Sequence, residues 1–72
     1  MTDYLELPIY LEEDDTVTLY IHCKDKSLIV LNHVSMDPIR YEGIWTVAHK
    51  YLDKDATSKI PADLVQYFTI VA

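Results

Sequence analysis

The stretch DPIRYEGIWTVAHKYLD, residues 37–53, decides how the chain is organised. Asp37 is a favoured helix N-cap, and Pro38 suits the first helical position. On a helical wheel, Tyr41, Ile44, Trp45, Val47, Ala48, Tyr51 and Leu52 fall within roughly 160° of arc. Glu42, Thr46, His49, Lys50 and Asp53 point the other way. This spacing predicts an amphipathic helix of about four turns, with its apolar stripe on a sheet and Trp45 near the middle of the contact. Gly43 falls on the polar side, where it weakens a helix by about 1 kcal/mol relative to Ala.

The flanks read as strands. Leu5, Leu7, Ile9 and Leu11 alternate with Glu6, Pro8, Tyr10 and Glu12, and Pro8 predicts a sheet edge because it has no N–H to donate. Val17, Leu19, Ile21 and Cys23 alternate with Thr16, Thr18, Tyr20 and His22, giving a second strand. Setting Leu11 opposite Val17 also pairs Ile9 with Leu19, Leu7 with Ile21 and Leu5 with Cys23, so every apolar residue of this first hairpin shares one face. Lys24-Asp25-Lys26 is polar enough to turn. Residues 27–34, SLIVLNHV, form a nearly unbroken apolar run that predicts a third strand buried on both faces.

Residues 53–59 are polar and read as a loop. Beyond them, Pro61-Ala62-Asp63 suits a short second helix near 61–66, and the aromatic and β-branched run Tyr67–Val71 suits a strand. If that end pairs, it becomes a fourth, C-terminal strand. The expected fold class is α+β: one domain spanning residues 1–72, a three-stranded antiparallel β-meander with one amphipathic helix packed on it.

Charge is unevenly distributed. The 72 residues carry 12 acids against 6 bases, a net charge of −6. Asp3, Glu6, Glu12, Glu13, Asp14 and Asp15 lie in the first 23 residues with no base among them, while the rest of the chain is balanced. Phosphate backbones and anionic membranes are therefore poor partners, so neither direct nucleic-acid binding nor membrane association is expected. No apolar run approaches the roughly 18 residues of a membrane span. The opening MTDYLELPIYLEEDD lacks the features of a secretory leader, and the single cysteine excludes an intramolecular disulfide. Together these features predict a cytoplasmic protein.

Chemistry-bearing residues are present but not grouped. His22 and Cys23 are adjacent on a strand and point to opposite faces, and no C-x-x-C or H-x-x-x-H spacing occurs, so no metal is expected. Cys23, Ser27, Ser35, His22, His33 and His49 belong to no nucleophile–base motif, and one glycine cannot build a phosphate cradle. The sequence therefore predicts no enzyme and no cofactor.

It predicts instead a protein-interaction module, a small inhibitor or adaptor that sets an acidic, tyrosine-bearing face on a basic surface of a partner protein. Glu12, Glu13, Asp14 and Asp15 at the hairpin tip would supply charge, and Tyr10 and Tyr20 contact area. Two alternatives use the same features. One is an acidic nucleic-acid mimic, although six carboxylates match only a few base pairs of duplex charge. The other is a structural subunit that self-associates, as a homodimer, through its edge strand or its C-terminal segment.

Overall fold

The computed structural model describes residues 2–7 and 15–71. Among these residues the chain is all β, with seven strands: β1 Thr2–Tyr4, β2 Val17–Cys23, β3 Leu28–Val34, β4 Ile39–Tyr41, β5 Ile44–Tyr51, β6 Lys54–Pro61 and β7 Val65–Val71. A single 3₁₀ turn, Ala62–Leu64, joins β6 to β7. The strands form two antiparallel sheets, β1-β4-β5-β6 and β3-β2-β7. The α+β expectation is thus corrected, because no helix packs on a meander.

The stretch read as a helix is two consecutive hairpins. Glu42 and Gly43 both have positive φ, 51° and 76°, between the paired residues Tyr41 and Ile44. Leu52 and Asp53 repeat the arrangement at 51° and 63°, between Tyr51 and Lys54. Two central residues at positive φ characterise the type I′ turn, whose twist matches that of the strands it joins. From the second turn β5 and β6 pair without interruption, from Tyr51↔Lys54 back to Ile44↔Pro61, through the segment read as a loop.

The helical stripe arose because both faces of β5 carry apolar residues. In a strand, only alternate residues share a face. Trp45 and Val47 point inward and are buried, whereas Ile44, Tyr41, Tyr51 and Leu52 are exposed. The β-branched residues Ile39, Ile44, Thr46 and Val47 also favour extended backbone.

β2 is the central strand of the smaller sheet. Leu19 pairs with Leu31 of β3 on one side and with Ile70 of β7 on the other. Both edges of β2 are therefore occupied, and residues 5–7, expected to pair with β2, do not. β1 pairs with β4 instead. The N–H of Leu5 donates to the Pro38 carbonyl at 2.9 Å, and that of Leu7 to the Asp37 carboxylate at 2.9 Å. Asp37, expected to cap a helix, thus holds residues 5–7 beside the core. Pro8, Ile9 and Leu11 lie outside the described residues.

The core lies between the sheets. Val17, Leu19, Ile21 and Cys23 supply one side, with Leu31 and Val34 of β3, and Trp45, Val47 and Ile60 supply the other. Trp45 meets Phe68 edge-on, ring centroids 5.0 Å apart, which links β5 to β7 across the sandwich. The 3₁₀ turn ties the sheets together: the Ala62 N–H donates to the Gly43 carbonyl at 2.7 Å, and the Lys24 N–H donates to the Leu64 carbonyl at 2.8 Å. β3 is not buried on both faces, since Leu28 and Val30 are exposed.

Candidate interaction surface

The outward face of the larger sheet carries the feature that composition alone did not reveal. Across the strands, Asp3, Arg40, Trp45 and Ile60 form one row. Trp45 and Ile60 in this row point into the sandwich. The rows on either side therefore point out. One of them sets Tyr41 beside Ile44 and Pro61, and the other sets Tyr4 beside Ile39, Thr46 and Lys59. Tyr4 is 59% exposed, Tyr41 54%, Ile39 45% and Ile44 43%. With strands about 4.8 Å apart and like-facing residues about 7 Å apart, these four side chains form one contiguous patch.

Met36, also exposed, extends the patch, and an open cleft of about 480 Å³ lies against Tyr4, Met36, Asp37 and Ile39. Beneath the patch the backbone is well held. Arg40 bonds Asp3 at 3.2 Å and lies 5.8 Å from the centre of the Trp45 ring, so the side chains between β1 and β5 are braced from the inner side. The sequence contained a usable signal for this patch. The Glu-Gly pair at 42–43 is a variant of the Asp-Gly turn, and reading it that way assigns Tyr41 and Ile44 to one outward row.

Tyr20 lies elsewhere, at the centre of the outward face of the smaller sheet. There Leu28, His22 and Tyr67 form one row, Val30, Tyr20 and Thr69 the next, and Thr18 and Val71 the third, beside Asn32. None of these residues is charged. His22 stacks on Tyr67 at 4.1 Å and hydrogen-bonds Thr69 at 3.0 Å. Tyr20 is thus on a different sheet from Tyr4 and the outward patch. Asp15 is exposed. Tyr10, Glu12, Glu13 and Asp14 lie outside the described residues.

His49 has two local partners. His49 Nε2 lies 2.7 Å from Ser58 Oγ, and its Nδ1 lies 3.2 Å from the Lys50 carbonyl. With Nδ1–H donating to that carbonyl, Nε2 accepts the Ser58 hydroxyl proton, the hydrogen-bond order a serine nucleophile requires. Ser58, however, pairs with the buried Val47 and faces the interior of the sandwich, so this couple closes the end of the core.

His33 has φ +59° at a β-bulge, where Asn32 and His33 together oppose Thr18. It shares a cleft of about 380 Å³ with His49, Met36 and Asp55. The Cys23 thiol is buried. The Ser27 hydroxyl and N–H hold the Asp25 carboxyl below the usual carboxylate range, and the Lys50 ammonium, 2.6 Å away, does the same for Asp55. Among the described residues no three His, Cys, Asp or Glu side chains converge as metal ligands, and no helix is long and apolar enough to cross a membrane.

No protein-family model, curated protein or solved structure matches the chain.

Proposed function

We propose that this chain is a non-enzymatic protein-interaction module, an inhibitor or adaptor that docks on a larger partner through the outward patch of Tyr4, Ile39, Tyr41 and Ile44. The carrying observation is the contiguity of four large apolar side chains, each more than two-fifths exposed, on a regular sheet. A rigid surface of this kind loses little entropy on binding, and tyrosine gives wide contact for few rotatable bonds. The partner presents a basic surface. The net charge of −6, concentrated in the first 23 residues, supplies long-range attraction, and Glu12, Glu13, Asp14 and Asp15 are its densest part. Tyr10 is a further contact residue in this reading, and Tyr20, beside Val30 on the other sheet, is left out of the contact. A cytoplasmic setting agrees with the one unpaired cysteine.

The test is affinity capture from native extract with three baits: wild type, Ile44→Lys and Val30→Lys. Ile44 and Val30 are equally exposed, at 43%, on opposite sheets, so neither substitution opens the core. A protein retained by wild type and Val30→Lys but lost by Ile44→Lys supports the patch. Equal retention by Ile44→Lys removes it.

A further inference from the structure

Natural sheets guard their edges against pairing with another chain, through short strands, charges, proline or bulges. Among the described residues the two sheets have four edges, and three of them are guarded. β1 has only three residues. β6 carries Lys54, Asp55, Lys59 and Pro61. β3 is bulged at His33.

β7 has neither charge nor proline over its seven residues, VQYFTIV. Its irregularity is confined to Gln66, where Cys23 pairs with Val65 and His22 with Tyr67, so Tyr67–Val71 run in regular register. One edge of this segment pairs with β2, and among the described residues no strand pairs with the other. A row of backbone donors and acceptors in extended conformation is complemented by another extended strand.

We infer that the open edge of β7 is a self-association site, at which β7 of a second copy pairs antiparallel about a two-fold axis at Thr69. In that register Thr69 faces its own symmetry mate, Tyr67 faces Val71, and Phe68 faces Ile70, each of the last two pairs occurring twice. Thr–Thr and aromatic–β-branched pairs are the favourable cross-strand combinations, and the two-fold axis makes every contact reciprocal.

The alternation along β7 sorts these pairs by face. Tyr67, Thr69 and Val71 point outward, and Phe68 and Ile70 point inward, half-buried at the margin of the core. Pairing covers the inward residues and joins two three-stranded sheets into one of six strands. The edge ladder buries less than the roughly 1,200 Å² of a stable protein interface, so the dimer is weak and concentration-dependent. This inference does not rest on the outward patch of the larger sheet, which stays free in the pair.

Engineered cysteines test the register. Residues directly opposite in an antiparallel pair have Cα atoms about 4.5–5.5 Å apart, within disulfide reach. Under mild oxidation at high micromolar concentration, Thr69→Cys is expected to give a disulfide-linked dimer. Val71→Cys, two residues from the axis, is expected to stay unlinked, and the buried native Cys23 provides the wild-type background. Sedimentation equilibrium is expected to show a monomer–dimer exchange that Val71→Lys shifts at least tenfold toward monomer, with the far-ultraviolet spectrum unchanged. Monomer at every concentration, or cross-linking of Val71→Cys as fast as of Thr69→Cys, overturns the inference. So does a dimer that Ile44→Lys disrupts and Val71→Lys leaves intact, since that assigns self-association to the other sheet.

Discussion

Gly43→Ala separates the two readings of residues 37–53 by the sign of its effect. In a helix, Ala in place of Gly stabilises by about 1 kcal/mol. In the hairpin, Gly43 has φ +76°, and an L-residue held there costs about 1–2 kcal/mol. An added Cβ meets no atom within 4 Å, so the penalty is that of the backbone alone, without a clash. The restricted unfolded chain returns about 0.4–1 kcal/mol of it. The net expectation is a loss of about 1 kcal/mol, a fall in Tm of about 4–8 °C for a domain of this size. Trp45, the only tryptophan, sits between the sheets against Phe68 and reports unfolding by fluorescence. Glu42→Asn supplies the opposite control: it creates Asn-Gly, the preferred type I′ pair, and is expected to raise Tm. A higher Tm for Gly43→Ala would refute the hairpin argument.

Three further outcomes are expected. Leu19→Ala empties a fully buried site on the central strand and should cost about 2–5 kcal/mol, most of the stability of so small a domain, measured by urea denaturation. Asp25 and Asp55 bind protons less readily folded than unfolded, so their stabilisation is complete above about pH 4 and lost as pH falls through their lower folded values. Asp25→Asn with Asp55→Asn should therefore flatten acid unfolding below that pH, by a small amount because both groups are at the surface. Glu13→Lys with Asp14→Lys should slow association with a captured basic partner and reduce the salt dependence of the on-rate, leaving dissociation unchanged in stopped-flow measurements.

Where one face of a strand was apolar and the other polar, the sequence was legible. β2 shows this: Val17, Leu19, Ile21 and Cys23 alternate cleanly and all four are buried. The C-terminal strand was legible through its β-branched and aromatic content, and its partner is β2. What failed was the segment with apolar residues on both faces. In β5 the outward Ile44 and the inward Trp45 are neighbours, and a helical wheel places such neighbours on one stripe. The two turns were also poorly marked, since Glu42, Leu52 and Asp53 adopt positive φ without being the glycine or asparagine that usually announces it. The hairpin expected between residues 5–11 and β2 had a consistent register, but β3 and β7 compete for the same edges, and pairing preferences within one hairpin carry no information about such competition. The outward patch was missed for the same reason as the strands: Tyr41 and Ile44 had been assigned to the interior on a helical stripe.

The position of β2 also governs the order of events in synthesis. Its partner β3 follows it directly, but its other partner is the last strand of the fold, and the bond from His22 to Thr69 joins residues 47 apart. On a ribosome, the two hairpins built on Glu42-Gly43 and Leu52-Asp53 can close as soon as they emerge, because their partners are adjacent in the chain. The smaller sheet cannot be completed until β7 has been made. During that interval one edge of β2, seven residues without a single charge, stands open to any extended chain nearby. Non-local pairing of this kind slows folding. The chain is most vulnerable to mispairing just before its last strand arrives, and chaperone dependence should track the translation rate through residues 65–71.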